Sequence, residues 1–101
     1  MTDRELLEAA AKAAGIDYYA RAQSGGMLTD NGEWNPLTDD GDALRLAVRL
    51  RMMVSIGKGG FCTADIDELD ASVNECVTPD PYAATRRAIV RAAAEMGRSK
   101  T

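Results

Sequence analysis

The chain contains no histidine. That excludes the Ser-His-Asp and Cys-His nucleophilic systems, which need an imidazole to carry the proton. It also leaves only an all-cysteine zinc site, and two cysteines cannot supply four ligands. Aromatic residues make up only 5% of the sequence, so the expected core is thin and built from Ala, Leu, Val, Ile and Met. No apolar run approaches the roughly 18 residues that a membrane-spanning helix requires. The N-terminus lacks the basic and apolar regions of a secretory leader. The expectation is a cytoplasmic protein with reduced cysteines.

A length of 101 residues suits one domain with a core that needs no metal or disulfide staple. The net charge of −4 argues against direct nucleic-acid binding by phosphate neutralisation. The charge is unevenly spread. Asp30–Asp42 carries five acids and no base, and Asp65–Asp80 carries six acids and no base. Beyond these, Arg86, Arg87, Arg91, Arg98 and Lys100 face only Glu95. Two acidic loops and a helix with basic residues toward its C-terminus would produce this bias, and it suits the helix dipole. It would also steer a charged partner.

Local signals set the elements. Thr2-Asp3-Arg4-Glu5 has the form of a capping box, and Gly15 sits where a left-handed residue ends a helix, which predicts a helix over 3–14. Residues 16–22 alternate loosely and carry Tyr18 and Tyr19, which predicts a strand, with Met27-Leu28-Thr29 returning after the Ser24-Gly25-Gly26 turn. Thr38 or Asp39 should cap a second helix whose Ala43, Leu46, Ala47 and Leu50 form one face, widened by Leu44 and Val48. Strands are expected at 52–56, 61–64 and 71–77, with a turn at 67–70. Asp80-Pro81 starts a third helix, with Tyr82, Thr85, Ile89, Ala92, Ala93 and Met96 on one face. Gly97 is expected to end it and 98–101 to fray. The order is helix, two strands, helix, three strands, helix: an α+β domain in which about three helices pack on a small antiparallel β-sheet. Whether that sheet is continuous or two hairpins stays open.

The chemical candidates are few. Cys62 and Cys76 would lie opposite each other in a hairpin centred on Leu69, as two reduced thiols or as a strained cross-strand disulfide. Gly57-Lys58-Gly59-Gly60 lacks the pattern of a phosphate loop and reads as a hairpin turn. Asp39-Asp40-Gly41-Asp42 lacks the alternating ligands of a calcium loop and reads as helix capping, so no metal is expected. Trp34 beside Asn35 is either a core plug or an exposed interface anchor, and with Tyr18 and Tyr19 it could stack on a base. Arg45, Arg49 and Arg51 form either a solvated helix face partly paired with Asp42 or a binding site for phosphate or an acidic partner.

Two segments carry a family likeness. One runs from Trp34-Asn35-Pro36-Leu37-Thr38-Asp39-Asp40-Gly41-Asp42-Ala43-Leu44 to Ala47. The other runs from Asp80-Pro81-Tyr82 through Arg86-Arg87-Ala88-Ile89-Val90-Arg91 to Ala93. Together they resemble small proteins of tailed bacteriophages and prophages, many described as having an α-β-α sandwich domain. The resemblance implies a bacterial host cytoplasm and action by binding, as in proteins that block CRISPR complexes or sequester nucleotides. It implies no catalytic residues.

The expected function is therefore non-covalent binding of a host or phage protein, without enzymatic activity or cofactor. The candidate contact residues are Trp34, Asn35, Asp39, Asp40, Arg45 and Arg49. The alternatives are a module for a small anionic nucleotide, and a structural or homo-oligomeric component, which an exposed apolar face on the second helix would favour.

Overall fold

The structure, a computed structural model, describes residues 2–56, 60–66 and 71–99. The elements are α1 (Asp3–Ala14), β1 (Ala20–Arg21), β2 (Met27–Thr29), β3 (Gly32–Trp34), α2 (Asp40–Arg49), β4 (Met53–Ser55), β5 (Phe61–Ile66), β6 (Ala71–Cys76) and α3 (Pro81–Ser99). The strands form two separate antiparallel meanders, β1-β2-β3 and β4-β5-β6. The α+β class holds, with one strand more than the sequence suggested: the turn at Asp30-Asn31-Gly32 leads into β3, which pairs Trp34 with Met27.

α1 is bounded as its sequence dictates. The Glu5 N–H donates to Thr2 Oγ1 at 3.1 Å and the Thr2 N–H donates to Glu5 Oε1 at 2.9 Å. These bonds hold the Glu5 carboxyl below its ordinary pKa, the Thr2 backbone contributing most. The capping contribution is therefore full above the ordinary carboxylate range and is lost as pH falls through the lowered folded value. At the other end Gly15 takes φ 69°, its N–H reaching Lys12 O while the Ile16 N–H reaches Ala11 O.

α2 ends with the same pair of bonds. The Arg51 N–H donates to Val48 O and the Met52 N–H to Ala47 O. The left-handed residue here is not glycine but Arg51, at φ 55°. A side chain in this region costs on the order of 1 kcal/mol, which glycine avoids. Arg51→Gly is thus expected to raise the thermal midpoint by about 5 °C. A drop in a calorimetric scan would mean that the Arg51 side chain does more for the fold than its backbone costs.

α3 is the spine of the molecule. Ile89, Val90, Ala93 and Ala94 join Leu6, Leu7, Ala10, Ala11, Met27, Trp34 and Leu46 in one core cluster. Ala84, Ala88, Ala92 and Met96 join Cys62, Ala64, Ile66 and Val73 in a second, over the β4-β5-β6 sheet. A helix between two layers is buried on two sides, so one apolar stripe understated it. The helix also runs through Gly97 to Ser99. Gly97 is buried where α3 meets Ala9 of α1, so it serves close packing rather than termination, and Arg98 and Ser99 are helical rather than frayed.

Two further expectations are corrected. The register pairs Cys62 with Glu75 and Cys76 with Phe61. One residue of offset puts the cysteines on opposite faces of the sheet. Cys62 is buried with its thiol 3.2 Å from Thr85 Oγ1, Cys76 is exposed, and both are free. The strand at 16–22 shortens to β1 and leaves Tyr18 and Tyr19 exposed. The turn at 67–70 and most of the loop at 57–60 lie outside the described residues. Among the described residues no helix is long and apolar enough to cross a membrane.

Candidate functional site

The segment from β3 into α2 holds four of the six candidate residues, and most of their polar groups are already partnered. Asn35 is buried. Its Oδ1 accepts the Leu37 N–H at 3.1 Å, and its carbonyl accepts the N–H groups of Thr38 and Asp39. Its own N–H donates to Asp42 Oδ2 at 2.9 Å. Asp39 caps α2 by accepting the Asp42 N–H at 2.8 Å. Asp40 accepts from Arg86 Nη1 at 2.6 Å, while Arg86 Nε donates to Leu37 O at 2.9 Å. Arg86 thereby latches the loop to α3.

Asp42 is the residue that sequence reasoning undervalued here. It is buried, and its second oxygen accepts from Arg45 Nη2 at 2.7 Å. Asp42→Ala would leave the buried Asn35 N–H without an acceptor, an expected loss of about 2 kcal/mol. Asp42→Asn keeps an acceptor and should lose less. Urea unfolding of the two variants reads the difference, and equal midpoints would discount the Asn35 bond.

Trp34 is only 9% exposed and belongs to the first core cluster. The core-plug reading is the one observed. It also lines a groove of about 850 Å³, where Ile16, Asp30, Glu33, Arg45 and Arg49 converge. Three sequence candidates, Trp34, Arg45 and Arg49, thus share a concavity, but not as a nucleotide site would use them. Trp34 is buried rather than open for stacking, and neither tyrosine lines the groove. Arg45 is held by Asp42 and lies 3.8 Å from Asp39, as the solvated-face reading expected. Arg49 makes no ion pair among the described residues. The carboxylates of Asp17, Asp30, Glu33 and Asp42 outnumber the two guanidinium groups, so the field in the groove disfavours an anion.

A second groove, of about 580 Å³, lies between α2, β4 and the start of α3. Leu44, Val54, Ile56, Tyr82 and Ile89 line it, and the Asp40–Arg86 ion pair closes one side. Around it, large apolar side chains stand in water: Leu44 is 63% exposed, Ile56 62% and Tyr82 69%, with Val48 at 68% one turn beyond Leu44. This corrects the expectation that Leu44 and Val48 widen the core face of α2. That face is only Ala43, Leu46 and Ala47 wide, and no described element covers the outer side.

The sequence did carry a signal for this surface. Leu44 and Val48 are four apart beside the Ala43–Ala47 stripe, so the larger residues sit outside the smaller ones. Among the described residues, no group of three or more His, Cys, Asp or Glu could hold a metal ion. Set against protein-family models, curated proteins and solved structures, the chain matches none.

Proposed function

We propose that this chain is a small phage-encoded accessory protein that acts by non-covalent binding to another protein, through the apolar face of α2, β4 and the start of α3. The observation that carries the reading is the exposure of Leu44, Ile56 and Tyr82 around one groove. Scattered surface hydrophobics need no explanation, but a contiguous patch on a small charged domain marks a contact site. Tyrosine and aliphatic side chains beside a self-neutralised ion pair suit a protein surface better than a phosphate. A host defence complex is one target the phage resemblance suggests.

The contact surface therefore moves away from Trp34, Asn35, Asp39 and Asp40. These residues hold the loop together, and charge reversal at Asp39 or Asp40 would break a helix cap or the Arg86 latch before it tested binding. The structural or oligomeric reading stays close behind, because α2 presents an exposed apolar face. The nucleotide reading is weakened by the carboxylates around Arg45 and Arg49.

Native mass spectrometry of tagged protein recovered from phage-producing host cells tests the proposal. The wild type is expected to carry protein in stoichiometric amount, and Leu44→Lys and Tyr82→Lys to lose it. A nucleotide-sized added mass, or equal retention by the variants, would overturn it.

A further inference from the structure

We propose that Asn31, at the tip of the β2–β3 hairpin, is a site of spontaneous covalent modification. Its side-chain amide is lost by ring closure onto the Gly32 backbone nitrogen, leaving aspartate or isoaspartate. The reaction needs only the chain and water, and it is independent of the contact face proposed above.

Asparagine is one of the chemically labile residues, and the residue after it governs how fast it is lost. The ring closes when the next backbone nitrogen reaches the side-chain carbon, and a side chain on that next residue crowds the approach. Glycine has none. Gly32 takes φ 105°, and a Cβ placed on it would meet nothing within 4 Å, so the space around it is open. Asn31 and Gly32 are both exposed. The Asn31 N–H donates to Thr29 Oγ1 at 3.1 Å, and Thr29 Oγ1 donates to Gly32 O at 2.7 Å. These bonds hold the backbone of the turn. The Asn31 side-chain amide is left without a hydrogen bond among the described residues.

The other asparagines lack one or more of these conditions. Asn35 is buried, and its Oδ1 accepts the Leu37 N–H. Pro36 follows it, with no N–H to lose. Asn74 lies inside β6, paired with Thr63, and Glu75 follows it. Asp40 also precedes a glycine, Gly41, but its carboxylate is held by Arg86 in the first turn of α2. Asn31 alone combines an amide, a following glycine, exposure and a free side chain.

The chemistry balances without a cofactor. Base removes the Gly32 N–H proton, and the nitrogen bonds to Asn31 Cγ. The Cγ–Nδ2 bond breaks, and ammonia leaves after taking up a proton. Water then opens the cyclic imide. Cleavage between nitrogen and Cγ gives aspartate. Cleavage between nitrogen and the Asn31 backbone carbonyl carbon gives isoaspartate, whose main chain runs through Cβ and Cγ. One water enters, one ammonia leaves, and nothing is oxidised. Either product adds a negative charge to the net −4, beside Asp30 and Glu33 in the groove that Trp34 lines. Isoaspartate also lengthens the backbone next to Gly32, at the end of the pairing that sets Trp34 opposite Met27.

Peptide mapping by mass spectrometry is the test, on the folded full chain held for weeks in mildly alkaline buffer, with a parallel sample unfolded in guanidinium chloride. Asn31 is expected to gain the mass of an amide-to-acid exchange, and isoaspartyl methyltransferase labelling should show isoaspartate outweighing aspartate. Asn35 and Asn74 should stay intact over the same period. The rate in the folded chain should lie within about tenfold of the unfolded rate, because loop tips open at little cost in free energy. Gly32→Ala should slow the loss severalfold in guanidinium chloride, where folding of the variant is not at stake. Asn31 that stays intact in the folded chain while the unfolded chain loses it would overturn the proposal. So would loss of Asn35 or Asn74 at the same rate, or a Gly32→Ala chain that reacts as fast as the wild type.

Discussion

Replacing Gly97 by alanine is expected to lower stability by about 3 kcal/mol or more, and the thermal midpoint by about 15 °C. Helix propensity alone predicts the opposite sign, since glycine in a helix interior is about 1 kcal/mol worse than alanine. The difference lies in what the new methyl group would meet. A Cβ on Gly97 would stand 1.9 Å from the Ala9 carbonyl oxygen and 2.8 Å from its carbon. Both are backbone atoms, so no rotamer change makes room, and α1 and α3 must separate. The same two helices supply Ala10, Ala11, Ala14, Val90, Ala93 and Ala94 to one core cluster. Small side chains let the axes approach, and their dispersion contacts weaken quickly as the helices part. For a domain whose total stability is about 5–15 kcal/mol, the loss is severe. A variant as stable as the wild type in urea unfolding would contradict the close approach of α1 and α3.

Trp34→Ala should cost about 3–5 kcal/mol. Trp34 stands opposite Met27, whose side chain is fully buried, and shares its cluster with Leu46. Truncation removes the largest side chain of that cluster and joins the resulting void to the adjacent groove. Circular dichroism in a urea series is the appropriate readout, because the variant lacks the only tryptophan. An interface anchor would behave differently: stability would move by less than about 0.5 kcal/mol, as at most surface sites, and binding would fall instead. That pattern would return Trp34 to the contact surface.

Features set by neighbouring residues were legible in the sequence, and features set by distant ones were not. The bounds of α1 depend on Thr2, Glu5 and Gly15, all within one turn of their partners, and they were readable. So was the cap of α2, legible as Thr38 or Asp39 and held by Asp39. Gly97 shows the limit: glycine near the end of an apolar stripe reads as a stop, but contact with Ala9 requires it inside the helix. The offset between Cys62 and Cys76 depends on the register of a whole hairpin, which one residue of slip inverts. The Arg86 latch joins α3 to a loop far away in sequence, and no local pattern announces it.

The candidate site divides in the same way. Arg45 beside Asp42 follows from helical spacing and was expected. The burial of Trp34 and Asn35, and the exposure of Leu44 and Val48, depend on which sides of β3 and α2 other elements cover. An apolar residue on a helix is assumed to face inward, and here the assumption failed because α2 is packed on one narrow side. That failure is what exposes the surface assigned to binding.

The most direct test of the account is site-specific photocrosslinking in phage-producing cells. A benzoylphenylalanine placed at Tyr82 samples the apolar face of α2, β4 and α3, and one placed at Asn31 samples the Trp34-side groove. The account predicts a discrete protein adduct from position 82 and none from position 31. An adduct from position 31 with none from position 82 would contradict it, and would put the contact back on the acidic groove beside Trp34.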